Sequence, residues 1–272
     1  MFLKSLSSIQ NPTVKRLLLL QSKAKARRTE GGFVMEGLRE LEICVSGGYE
    51  VKEVYFVPNF VALEDLQKIL STQTDTMFIE ITEEVYKKLA YRESTEGVIA
   101  FAKAKTTTLS DLQLPDNPLI LIAEAPEKPG NIGALLRTAD AAKVDAVIIA
   151  NPRTDLYNPN IIRSSVGCVF TNQIASASSD EVIAFLKQKG IAIYSAILQE
   201  AENYHEQDYT KSTAIVVGTE ATGLTDVWRK ASTQNIKIPM QGAIDSMNVS
   251  VAAGILVFEA KRQRGFEVKS EK

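Results

Sequence analysis

Four stretches of this chain are almost continuously apolar: LILIAEA (119–125), DAVIIA (145–150), IAIYSAI (191–197) and TAIVVGTE (213–220). They are short, rich in β-branched residues and without polar alternation, so they read as strands buried on both faces. Only a parallel sheet covered by helices on either side needs such strands. Helical spacing at 132–143, at 180–189 and around 226–230 supplies the crossovers, which makes the chain from Pro118 onward an α/β domain. A dinucleotide-binding sheet is the first reading of this pattern. No GxGxxG follows a strand, however, and GNIG (130–133) has the wrong spacing for a phosphate cradle.

The last apolar run stops abruptly at Gly218, Glu220 and Gly223, so a buried strand opens into a tightly turning loop. A second short strand is expected at 236–239. Beyond it, Ser246-Met247-Asn248 precedes a long apolar helix from Val249 to about Lys261 and caps it. Two strand ends and a helix N-terminus thus converge on one crevice, where open parallel sheets bind ligands. Taken singly, each glycine reads as a turn and each Ser or Asn as a cap.

With 272 residues, 45% hydrophobic content and a net charge of -2, two domains are expected. They are read as 1–105 and 118–272, joined by a threonine-rich linker at 106–117 that has neither helix nor strand period. The first is mixed α/β, with helices at 14–25 and 37–46 and strands at 51–57, 77–79 and 98–102. No apolar run approaches the ~18 residues of a membrane span, and MFLKSLSSIQ lacks the apolar core of a secretion signal, so a cytoplasmic location is expected. Cys44 and Cys168 are far apart with no CxxC, which points to reduced thiols and no metal site. The single His205 lies in a polar stretch and reads as a solvated loop residue. Residues 1–40 carry eight Lys/Arg against three acids, a balance of 8 − 3 = +5. That suits a phosphate backbone or a solvated helix face equally well.

GTEATGL followed by IPM and SMNVSVAAGI resembles the second and third motifs of the SpoU/TrmH-type RNA ribose 2′-O-methyltransferases of the SPOUT superfamily. NIGALLR (131–137), after a strand ending in a Glu/Pro loop, resembles the first, and NPRTDLYNPNIIRSSVGCVF is also similar to the family. The resemblance implies a C-terminal parallel-sheet domain tied in a deep trefoil knot, which nothing in the periodicity shows. It implies S-adenosylmethionine as cofactor, held by Gly218, Thr219, Ile238, Met240 and Met247. Arg137, Asn131, Glu220, Ser246 and Asn248 match the polar catalytic positions. No metal is required. Because a guanidinium stays protonated, Arg137 is preferred as an electrostatic stabiliser of a developing alkoxide, with its service as base left open.

Asn11-Pro12, Lys15, Arg27-Arg28 and FVMEG look like the start of a small ribosomal-protein-like substrate-binding domain, which turns the basic arm, with Lys15, Arg27 and Arg28, into an RNA contact. Ser94-Thr95-Glu96-Gly97 resembles that domain's loop before its last strand, with Glu96-Gly97 where the family often has Pro-Gln-Gly; no contact is assigned to it. Two-domain relatives favour ribosomal over transfer RNA, and the family implies a homodimer. A nucleotide-binding oxidoreductase or hydrolase is disfavoured by the missing glycine motif, the missing P-loop lysine and the single histidine. A non-catalytic RNA binder is disfavoured by the intact polar set.

Overall fold

The computed structural model describes residues 4–91, 96–219 and 222–266, so Ser94, Thr95 and Glu220 lie outside the described residues. The chain forms two compact units, Met1–Lys105 with Asp155–Thr171, and Thr106–Thr154 with Asn172–Lys272.

The first unit holds strands β1 (Lys4–Leu6), β2 (Gly32–Glu36), β3 (Val51–Phe56), β4 (Met77–Ile81) and β5 (Val98–Lys103), with helices α1 (Pro12–Ser22), α2 (Ala24–Glu30), α3 (Leu38–Ser46), α4 (Leu63–Ile69) and α5 (Glu83–Leu89). The sheet order is β1-β4-β3-β5-β2, with β1, β4 and β3 parallel and β5 antiparallel to both β3 and β2. Pro12 starts α1, and Asn11 Oδ1 caps it by accepting from Thr13 N at 2.9 Å. Val14, Leu17 and Leu20 are its buried face.

The single helix expected at 14–25 is two. Lys23 adopts extended backbone (φ -123°), and α2 ends at Gly31 in the left-handed region (φ 65°). Arg27 explains the break. Its guanidinium turns back onto the carbonyls of Leu20 and Gln21, two of those that the end of α1 leaves without helical donors, and pairs with Asp155. With 4% exposure it is a buried cation, so the expectation that Arg27 meets RNA phosphate is corrected. Arg28 and Lys15 are exposed. The segment that carries Asp155 is held by the same unit's aromatics: Tyr157 stacks on Phe33 at 4.4 Å between centroids and 7° between planes, and Phe170 lies 5.5 Å from Phe33 on another side. Cys44 is buried in this unit, and burial pushes its thiol up.

The second unit is a seven-stranded, wholly parallel sheet. Its strands are β6 (Leu119–Glu124), β7 (Ala146–Ala150), β8 (Ile174–Ala177), β9 (Ala192–Ala196), β10 (Glu202–Asn203), β11 (Thr213–Val217) and β12 (Gln234–Lys237), in the order β10-β12-β9-β11-β6-β7-β8. Its helices are α6 (Pro129–Ala142), α8 (Ser179–Gln188), α9 (Asp226–Ala231) and α10 (Val249–Arg264); α7 (Pro159–Ser164) belongs to the first unit. The four apolar runs become β6, β7, β9 and β11, fully buried at almost every position. One core cluster gathers Ile120, Ile148, Val182, Ile193, Val216 and Trp228. The two-residue β10 and the edge strand β8, with sequence IASA, were not foreseen.

The last helix, α10, buries Ala253, Leu256, Val257 and Ala260 and packs against α6. Its C-terminal end is fastened by Arg264, whose guanidinium donates to the carbonyls of Tyr209 (2.8 Å), Asn117 (2.9 Å), Pro118 (3.2 Å) and Lys211. One turn earlier, Glu259 accepts from Arg262 and Gln263, and these hold its carboxyl down at about 2.

Two outcomes follow. Arg27→Ala strands Asp155 and the α1 carbonyls, so it lowers the unfolding free energy by about 3 kcal/mol; chemical denaturation of both proteins measures this. For Glu259, the depressed folded value means that its contribution is complete above the ordinary carboxylate range and is lost as pH falls from about 4.5 through about 2. The melting-temperature gap between wild type and Glu259→Gln is therefore widest above pH ~5 and closes towards pH ~2.

Candidate active site

Parallel strands deliver all their loops at one edge, and here β9, β11 and β12 end around a cavity of about 610 Å³. Gly218, Thr219, Ile238, Met240 and Met247, the five residues read as cofactor ligands, all line it, and so does Ser246. Two glycines shape the loop after β11 for different reasons. Gly223 occupies the left-handed region (φ 67°), where a side chain strains the backbone. Gly218 has no room for one, because a Cβ would collide with the backbone of Gly223 and come within 2.5 Å of Leu224 N. Around the turn, Thr219 N donates to Gly223 O (3.2 Å) and Gly223 N to Thr219 O (3.0 Å). The hydroxyls of Thr219 and Thr222 lie 2.8 Å apart.

A smaller recess of about 80 Å³ shares Gly218, Thr219 and Val249 with the main cavity and adds Pro126, Lys128 and Asn131. Asn131 was expected to cap α6. The helix instead starts at Pro129 with Lys128 as N-cap, because proline's fixed φ suits a first helical residue and its missing N–H costs nothing there. Asn131 therefore sits in the first turn, and its Oδ1 accepts from Asn248 Nδ2 at 3.3 Å. Asn248 caps α10 as foreseen, accepting from Ser250 N at 2.9 Å.

Arg137 stands apart from this cluster. It is exposed on α6 and lines neither recess. What sequence reasoning missed is the third wall. Residues 196–199, at and after the end of β9, line the cavity as well, together with the Asp226–Arg229 ion pair (3.1 Å). Only the strand order, which places β9 between β11 and β12, reveals that wall. Among the described residues no group of His, Cys, Asp and Glu could hold a metal ion, and no helix is long and apolar enough to cross a membrane.

Residues 118–258 match the model of the SpoU rRNA Methylase family. The chain belongs to that family. Residues 11–100 match an MRM3-like substrate binding domain. Over 95% of its length the chain is 27% identical to all of a Bacillus subtilis 23S rRNA (guanosine(2553)-2′-O)-methyltransferase. An AdoMet-bound rRNA methyltransferase from Sinorhizobium meliloti superposes with TM-score 0.88 at 26% identity, over 96% of this chain and 98% of that one. An RNA 2′-O ribose methyltransferase of known structure superposes with TM-score 0.82 at 37% identity, over 96% and 99%. For this SpoU-family chain the packing at Gly218 yields a direct test: Gly218→Ala forces the loop off Gly223 and destabilises the protein by roughly 1–3 kcal/mol, read from urea unfolding.

Proposed function

We propose that the chain transfers a methyl group from S-adenosylmethionine to a ribose 2′-hydroxyl of ribosomal RNA. The observation that carries this reading is the 610 Å³ cavity walled by the loops after β9, β11 and β12, two of which, those after β11 and β12, carry the motifs that resemble the family. Its size suits a small-molecule site, and it joins close backbone at Gly218 and Thr219 and apolar Ile238, Met240 and Val249 to a few charged groups, Asp226, Arg229, Lys237 and Asp245. Those features fit a nucleoside joined to an amino acid.

The cofactor supplies a methyl activated by a sulfonium. What remains for the protein is to bind, to align and to manage one proton. Gly218, Thr219, Ile238, Met240 and Met247 hold the adenosine and methionine parts. Asn131, Ser246 and Asn248, with Glu220, surround the ribose. Arg137 stabilises the hydroxyl oxygen as its proton passes to the neighbouring phosphate or to water, through a charge that never leaves the guanidinium. Residues 1–105 bind RNA, with Lys15 and Arg28 on the phosphate backbone and Arg27 supporting them from within. The same reading includes the trefoil knot and a twofold homodimer. Val251 and Phe258, exposed at 53% and 40%, leave apolar surface on α10 beside α6, the helix that carries Arg137. A second copy docked there gives Arg137 a route to a cavity that it does not line in its own chain.

Mapping of 2′-O-methyls in ribosomal RNA from cells with and without the protein tests the activity: one site disappears, and an unchanged map refutes it. With the purified protein, Arg137→Ala reduces methyl transfer by at least ~100-fold while cofactor affinity holds. A wild-type rate in that variant removes Arg137 from the chemistry.

A further inference from the structure

The most unusual group that the site leaves unused is a buried acid. Glu124 closes β6 at 1% exposure, and burying a carboxylate is costly unless its oxygens are fully hydrogen-bonded. Here they are. Oε2 accepts from Thr225 N (2.8 Å), and Oε1 accepts from the hydroxyls of Thr225 (2.6 Å) and Ser179 (3.0 Å). Ser179 Oγ in turn accepts from Trp228 Nε1 (3.0 Å) and Asn151 Nδ2 (2.9 Å). Every donor to this carboxylate among the described residues is neutral, so the arrangement is no ion pair. It is a tether.

Thr225 shows what the tether is for. It occupies the N-cap of α9, where a threonine hydroxyl ordinarily accepts from its own helix, yet it makes no capping bond. The hydroxyl goes to Glu124 instead. A local preference is thus overridden at the residue that ends the glycine loop. The loop's near end, Gly218, is fixed by β11, and its turn is closed on itself by the Thr219–Gly223 pairing. Its far end is held by the two bonds from Thr225 to Glu124, with Leu224 buried beside it.

We infer that Glu124 is a positioning residue: from β6 it sets, through both donors of Thr225, the placement of Thr222, Gly223 and Leu224 at the cavity wall, and with it the affinity for S-adenosylmethionine. The inference rests on the cofactor reading above.

Calorimetry with S-adenosylmethionine and steady-state methyl transfer, on full-length variants, test it. Glu124→Gln keeps the shape but offers one acceptor oxygen and turns an NH₂ towards a donor. It raises Kd and KM for the cofactor at least ~tenfold, about 1.4 kcal/mol, while kcat at saturating cofactor and the Kd for RNA hold within ~twofold. Thr225→Val, which removes one donor at constant shape, gives an intermediate rise, and Thr225→Ser, which keeps both donors, restores wild-type affinity. This pair carries the test if the Gln variant does not fold. A Glu124→Gln or Thr225→Val protein that melts earlier but binds cofactor like wild type makes the tether purely structural and overturns the inference. A wild-type protein that binds no S-adenosylmethionine removes the cofactor reading, and this inference with it.

Discussion

The structure of the second unit follows from one constraint: seven strands run parallel, and a parallel strand cannot turn directly into its neighbour. Each connection must cross a face of the sheet, so every strand empties at the same edge and both faces are covered. That is why β6, β7, β9 and β11 carry apolar residues without alternation, and why the only places for polar machinery are the loops at that edge. Because β11 sits between β9 and β6, the loop after it stands in the middle of the edge, flanked by the wall at 196–199 and by the first turn of α6.

The central loop is shaped by close backbone approach more than by side chains. Gly218 and Gly223 touch through atoms that every residue possesses, and the surrounding polar contacts come from threonines. Such a surface offers main-chain donors and acceptors at fixed positions, which suits a ligand recognised by its edges. The charged groups of the lining come from elsewhere, from α9, from Lys237 on β12 and from the stretch before α10.

Much of this was legible in the residues, for reasons that can be stated. Strands buried on both faces announce themselves by composition, and the glycines, Ser246-Met247 and the IPM stretch mark the cavity, although the strand expected at 236–239 is found at Gln234–Lys237. Other features escaped because their causes are distant in sequence. The break at Lys23 is invisible to a helical period that continues through it. The burial of Arg27 depends on Asp155, which lies 128 positions away. Asn131 lost its expected cap role to a proline two residues earlier, a local signal that outranked a side-chain preference. The strand β8 is too short and too poor in large apolar residues to stand out, and it survives because β7 supplies a partner for four of its backbone positions.

The clamp made by Arg264 has a consequence for how such a protein comes into being. The helix α10 begins at Val249, which lines the cavity, and ends where Arg264 grips the carbonyls of Asn117 and Pro118 at the opposite edge of the sheet. All the walls of the main cavity come from residues 196–252, the later part of the chain. During synthesis the first unit's own strands, β1 to β5, leave the ribosome complete while half of the parallel sheet is still unmade. The growing chain therefore acquires the segment with Lys15 and Arg28 long before it acquires its cavity.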